Sequence, residues 1–381
     1  MQFDDVTSLL HAERTYRLAR MPRVTGTLLS AGCAGNWYFD WVEATYGQVE
    51  RHIGVEFYSP RPAALPPNVT WIENTVGDMR DVPSNSVDLA FSGQNLEHLW
   101  PSETINFYAE CARVVRPGGY LVVDSPNRAV TRPLIWSHPE HTVELTPIEA
   151  CRMATLAGFD VIAVHGIWLV RDPKTSHILG LEPKQLSAAA TESRILLGRE
   201  DPDNAMIWWV EAIRSNRECR HDKLVAEMRR IFEFAWPERT RRFVSNVGKR
   251  TDGRVTSSAA EGGALVFGPY MPLPAGEYEF SFAVKADGGL SGATLGHCDV
   301  IAGTSELFMQ EFRQSASTVR AQRIAGRFRL DQPMTFAIQA RVFSYGGASV
   351  TTSLPRLRGA SAGKIFDATW IPYSASVRAS G

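Results

Sequence analysis

The sequence predicts a doubly wound α/β domain, then a helical and basic linker, then an all-β domain. Three observations carry this reading. Short apolar runs alternate with helical spacings from the N-terminus to about residue 175, which is the rhythm of βαβ units. A Gly-rich turn follows the first run and an acid closes the second, as at a nucleotide site on the carboxyl ends of parallel strands. From about residue 255 the apolar period becomes two, with Gly, Pro and Asp at short spacing, the pattern of a β-sandwich.

The elements follow in order. Thr27 to Ala31 reads as a strand that ends in the turn Gly32-Cys33-Ala34-Gly35-Asn36. Trp37 to Tyr46 has helical spacing, and Ile53 to Glu56 is the next strand. Val87 to Phe91 and Tyr120 to Val123 are later strands, with helices around 103–115 and 147–157. Residues 184–235 read as helical, with Ser187 to Leu197 and Asp203 to Arg214 as segments; the second holds Trp208 and Trp209. Arg239 to Arg254 is basic and has no strand rhythm. Glu277 to Val284, Arg327 to Leu330 and Thr335 to Val342 alternate cleanly. The expected domains are therefore 1–215, a linker 216–254, a β domain 255–362 and a Ser- and Ala-rich tail 363–381.

The totals narrow the class. The 381 residues carry a net charge of −1 and no basic block, so a nucleic-acid partner is not expected. Five cysteines stand far apart without a CxxC pair, which argues against a disulfide framework and for a reducing compartment. The acidic start, Met1-Gln2-Phe3-Asp4-Asp5, is unlike a secretory signal, and no apolar run reaches the ~18 residues of a membrane span. A cytoplasmic protein is the expectation.

Glycines after a strand let the chain approach a ligand and place amides at a helix N-terminus. Glu56, 20 residues beyond Asn36, reads either as an acceptor for ribose hydroxyls or as a solvated strand end. Three further segments follow in order: Gly77-Asp78-Met79-Arg80-Asp81-Val82-Pro83 before Ser86 to Phe91, then Leu96-Glu97-His98-Leu99, then Arg116-Pro117-Gly118-Gly119-Tyr120-Leu121. Glu140 to Pro147 and Ala157-Gly158-Phe159 close the set.

This order resembles the class I, Rossmann-like methyltransferases that use S-adenosylmethionine (the type 11 group), over about residues 20–165. The resemblance implies that Ala31, Gly32 and Gly35 contact the methionine end of that cofactor. It further implies that Glu56 binds the ribose, that Asp78 and the Met79 amide bind adenine, and that Gln94 lies near the reacting methyl group. The chain departs from the pattern at Ser30, where an acid is usual, and at Ala34 and Asn36, where glycines are usual.

Transfer to a hydroxyl needs proximity, in-line geometry and a base. His141, His98 and Glu144 are the candidates for catalysis. His138-x-x-His141-x-x-Glu144 also has a spacing for metal ligands on one helical face, with Mg²⁺ the ion considered; Pro139 speaks against that helix, and no metal ligand set is assigned. Arg128 and Trp136 are candidate acceptor contacts. In the β domain, the run Val266 to Tyr278 is similar to the opening of carbohydrate-binding jelly rolls, with Tyr270, His297, Glu311 and Arg313 as candidate glycan contacts. The Trp208-Trp209 pair reads as a sugar platform or, more readily, as buried packing. The function expected is O-methylation of a saccharide, such as a surface polysaccharide or its precursor. The alternatives are a catalytically weak glycan-binding scaffold, or a small-metabolite methyltransferase whose β domain serves oligomerisation through its edge strands.

Overall fold

The computed structural model describes residues 3–132, 141–235, 243–251, 254–314 and 321–359. The chain divides into two units, Met1–Ser137 with Val143–Ile231, and His138–Thr142 with Phe232–Gly381.

The first unit is built on strands β1 (Thr27–Ala31), β2 (Arg51–Glu56), β3 (Val69–Glu73), β4 (Val87–Gly93), β5 (Val115–Pro126), β6 (Phe159–Leu169) and β7 (Ala205–Arg214). They stand in the order β3-β2-β1-β4-β5-β7-β6. The first five are parallel, and β7 runs antiparallel to both its neighbours. The chain thus builds outward from β1 to β3 and then returns to β4 on the other side of β1. That reversal opens a crevice at the carboxyl ends of β1 and β4.

The helices are α1 (Val6–Leu18), α2 (Asn36–Tyr46), α3 (Pro101–Val114), α4 (Arg128–Thr131), α5 (Pro147–Leu156), α6 (Ala188–Glu200) and α7 (His221–Ala235). Local chemistry sets their ends. Asp5 caps α1 by accepting from the Ser8 amide at 2.7 Å. Pro147 occupies the first turn of α5, and Thr146 and Glu149 exchange capping hydrogen bonds there, a reciprocal arrangement that satisfies two orphan amides. No helix among the described residues is long and apolar enough to cross a membrane.

One segment departs from the sequence reading. Ala205–Arg214, expected to be helical, is strand β7, held between β5 and β6. Trp208 and Trp209 are both fully buried. Their indole N–H groups donate to the Leu145 carbonyl at 2.9 Å and to Glu211 at 3.0 Å. They are core packing and offer no platform to a sugar. The helix read at Ser187 to Leu197 is α6.

The second unit is rich in strands: β8 (Lys249–Thr251), β9 (Arg254–Thr256), β10 (Gly263–Val266), β11 (Pro269–Asp287), β12 (Thr294–Ala302), β13 (Ser305–Arg313), β14 (Gln322–Ser344), β15 (Ser349–Ser353) and β16 (Arg356–Gly359). All the pairings are antiparallel. The strands follow the order β13-β12-β14-β11-β15-β9-β8, with β10 on β14 and β16 on β11. The two long strands, β11 and β14, join everything into one continuous ladder interrupted by register shifts. Period-two patterning places Phe280, Phe282, Val284, Cys298, Val300, Ile324 and Val342 inside. Phe280 and Phe308 pack edge to face at 4.5 Å. The all-β expectation is met; the finer jelly-roll layout is not visible in this ladder. Residues 363–381, read as a tail, lie outside the described residues.

Candidate cofactor and acceptor site

The crevice at the reversal is lined first by the glycine turn. Gly32 has φ +77°, and a Cβ there would come 2.6 Å from the Asn95 side chain. Gly35 has φ +108° and leads into α2, which has no side-chain cap and no acid in its first turn. Ala34 takes φ +42°, a left-handed conformation that costs an alanine more than the usual glycine. Ala31 is buried, and its carbonyl accepts from Ser92 at 3.1 Å. Cys33 is buried beside Glu56, and its thiol is pushed up to about 12, first by burial and then by that carboxylate. It is a packing residue, not a nucleophile.

Glu56 closes β2 and is buried. One carboxylate oxygen accepts from the Ala34 amide at 3.0 Å, and the other accepts from Tyr58 and Ser59 at 2.7 and 2.9 Å. The acid therefore joins the glycine turn to the β2 loop, and the reading as a solvated strand end does not describe it. Ser30, standing where the resemblance expects an acid, is hydrogen-bonded to His52 Nε2 at 2.7 Å. Burial drives His52 down to about 4, so it is neutral at neutral pH.

The adenine side is less open than expected. Asp78 is half-buried and paired with the exposed Arg80, whose hydrogen bond holds its carboxyl below the usual range. The Met79 amide donates to Glu110 at 2.8 Å, and its side chain is fully buried. In this conformation that amide already has an acceptor. Asp88 is structural: it accepts from the Thr27 amide and the Arg116 guanidinium, both at 2.6 Å, at the far end of the strands. Its place in the sequence pattern reflects this clamp.

Beyond β4, Gln94 takes φ +53° and its side-chain amide donates to Asp124 at 2.6 Å. Asp124, on β5, is fully buried and also paired with Arg14 of α1 at 3.0 Å. The short helix Leu96–His98 follows. His98 in it is half-buried. Its neighbour Glu97 is fully buried, accepts from Ser125 Oγ at 2.8 Å, and is driven up to about 8 by burial. Sequence reading passed over Glu97, Asp124 and Arg14. Only their apolar surroundings in the fold distinguish them from ordinary polar residues.

Glu144 accepts from Thr131 Oγ1. Arg128 is buried, donates to the Glu144 carbonyl at 2.7 Å and forks the Glu149 carboxylate at 2.7 and 2.8 Å. It braces α5. His141 is buried and falls in the segment His138–Thr142 grouped with the second unit, whereas His98 and Glu144 belong to the first. Trp136 and His138 lie outside the described residues, and with His138 goes the spacing read for a metal. In the second unit, His297 stacks on Phe343 at 4.6 Å and meets Tyr345 Oη at 2.9 Å. Beneath it Asp299 is buried against Arg341. Glu311 and Arg313 are exposed, 3.7 Å apart. The side chain of Tyr270 lies outside the described residues.

Residues 29–123 match the family model described as a methyltransferase domain. That match lies wholly within the first unit. Among curated proteins, the chain is similar to a probable S-adenosylmethionine-dependent methyltransferase of Mycolicibacterium smegmatis, 30% identical over 145 residues, or 37% of this chain and 54% of that protein. A probable S-adenosylmethionine-dependent methyltransferase of Mycobacterium tuberculosis is 32% identical over 152 residues, or 39% of this chain and 54% of that protein. The chain thus spans about half the length of the curated relatives it matches. A solved methyltransferase from Archaeoglobus fulgidus is similar over 54% of this chain and 93% of its own, at 16% identity and a TM-score of 0.40. Both of these curated relatives are named as S-adenosylmethionine-dependent methyltransferases. The residues around the crevice of the first unit suit that cofactor: a turn into which no Cβ fits at Gly32, an acid at the end of β2, and the free start of α2.

Proposed function

We propose that the chain transfers the methyl group of S-adenosylmethionine to a saccharide hydroxyl, as on a surface polysaccharide or its precursor. The observation that carries the cofactor half is Glu56, buried at the carboxyl end of β2 and tied to the glycine turn beside the strand-order reversal. There it would accept the ribose hydroxyls, while Gly32 and Gly35 let the chain lie close to the ligand. Asp78 would take the adenine amino group. The bound cofactor supplies an electrophilic sulfonium methyl. Gln94, rigidly placed against Asp124, would stand at the acceptor edge, and His98, His141 and Glu144 remain the candidate bases for the hydroxyl proton.

The saccharide half is supported by the second unit. Tyr345 is 55% exposed, beside His297 and the Asp299–Arg341 pair, an aromatic face with polar groups at its side of the kind sugars use. Titration calorimetry with S-adenosylhomocysteine tests the cofactor site. Glu56→Ala should weaken binding by about 1–3 kcal/mol through loss of charge-assisted hydrogen bonds, and unchanged affinity refutes the ribose role. A glycan array tests the acceptor: Tyr345→Ala should lower retention of any saccharide the wild-type chain holds. A chain that methylates a small metabolite and holds no saccharide would favour a second unit used for oligomerisation.

A further inference from the structure

We propose that Arg14, Tyr38, Gln94 and Asp124 form the receptor for the zwitterionic α-amino-acid end of the methyl donor. Asp124 takes the ammonium, and Arg14 with the Tyr38 hydroxyl takes the carboxylate. This rests on the donor site proposed above. None of the motifs that carry the resemblance contains Arg14, Tyr38 or Asp124, and Arg14 and Asp124 fall outside the matched residues 29–123.

Position comes first. The cluster gathers at the carboxyl ends of β4 and β5, next to Ser30 near the end of β1. Glu56 stands on the opposite side of β1, at the end of β2. Two to three strand spacings separate them, about 10–14 Å. A ligand held by its ribose at Glu56 and lying across β1 would bring its other arm to this cluster.

Chemistry comes second. An amino acid presents one positive and one negative group close together. A buried site for it needs both partner charges, and they must neutralise each other while the site is empty. Arg14 donates through Nε and Nη2 to the two oxygens of Asp124, at 3.0 and 3.2 Å, and the Gln94 amide adds a bond at 2.6 Å. This fork leaves Nη1 of Arg14 for a carboxylate. The pair is built in: a Cβ on Gly93 would come 2.3 Å from Arg14 Nη2 and 2.7 Å from Asp124 Oδ2.

Tyr38 is the independent observation. It is 2% exposed, and its hydroxyl has no hydrogen-bond partner among the described residues. Ser30 stands close enough to act on the phenol, but no hydrogen bond of good geometry joins the two, and the Ser30 hydroxyl bonds His52 at 2.7 Å. Arg14 and Asp124 act most strongly on the phenol after burial itself. An unpaired buried hydroxyl costs on the order of 1–3 kcal/mol, a cost that a bound carboxylate removes. Tyr38 also sits in the first turn of α2, whose uncapped N-terminus favours an anion.

Calorimetry on the full chain with two ligands tests this. S-adenosylhomocysteine carries the amino-acid arm; 5′-methylthioadenosine has the same adenosine and sulfur without it. Tyr38→Phe removes a hydroxyl that holds nothing in the ligand-free protein, so its melting temperature should not fall. It should lower S-adenosylhomocysteine affinity about fivefold to tenfold and leave methylthioadenosine affinity unchanged. Arg14→Gln should lower the first affinity more than about tenfold and spare the second. The inference is overturned if Tyr38→Phe binds S-adenosylhomocysteine as the wild type does, or if the variants weaken both ligands alike. A wild-type chain that binds both ligands equally also overturns it while leaving the donor site intact. A wild-type chain that binds neither removes the donor site itself.

Discussion

The two units handle charge in opposite ways. The first buries it: Arg14 with Asp124, Arg128 with Glu149, Glu13 with Arg199, and Glu56, Glu97 and His52 besides. Several of these gather at the carboxyl edge of its sheet. The second unit keeps its ion pairs on sheet faces, as in Arg327–Glu279 and Arg329–Asp331, and fills its interior with Phe, Val, Leu and Ile. Its one buried acid is Asp299, among the described residues. Burying charge is costly unless each group is paired. A fold that does so repeatedly at one edge has a use for the charges there.

The comparison is most easily broken at Arg14. Arg14→Leu leaves Asp124 buried with only Gln94 to answer its charge. Denaturant unfolding of the full chain should show a loss of about 3–5 kcal/mol, the usual result of removing one member of a buried pair. A loss below about 1 kcal/mol would mean that the pair behaves like a surface contact, and the contrast between the units would fail.

A smaller effect follows from His52. Unfolded, a histidine takes up a proton below about pH 6.5. Folded, His52 resists until about pH 4, because burial opposes the charge. In that window the unfolded state binds more protons, so the contribution is complete above about pH 6.5 and is lost as the pH falls towards 4. The loss should amount to about 3 kcal/mol. His52→Gln cannot titrate, and the difference between its stability and that of the wild type should shrink or reverse across the window. Parallel curves for the two proteins would show that His52 is not the buried neutral group described.

Much of the first unit was legible because its strands end in residues with special chemistry. Gly32, Gly35 and Glu56 mark β1 and β2, and Arg116 to Gly119 mark the turn into the long run of β5. β7 was misread for a physical reason. Ala205 to Ala212 is buried almost throughout, and a strand covered on both faces has no polar alternation to separate it from a helix. In the second unit the alternation survives because one face of β11 and β14 remains solvated. The proposed site was legible in its glycines and in Glu56, which are local features. Arg14 and Asp124 are 110 residues apart, and Tyr38 reads as one more aromatic on a helix. Their meaning arises only when α1, α2 and β5 come together. Met79 shows the converse, a local motif whose amide the fold assigns to Glu110.

The smallest effect belongs to the second unit. Arg327 and Glu279 face each other across β14 and β11 at 2.6 Å, but the arginine side chain is 73% exposed. Water already solvates that charge, salt screens it, and holding a long side chain in one rotamer costs entropy. Arg327→Ala should therefore change stability by less than about 1 kcal/mol, and added salt should reduce the difference further. Each arginine makes two hydrogen bonds to its acid, and those of Arg327 are no longer than those of Arg14, so distance does not explain the unequal losses expected at the two sites. Burial is the difference that sets their size. Equal losses at the two sites would place the energetics in the bonds themselves and remove the reason for reading the buried edge of the first unit as the working part of the molecule.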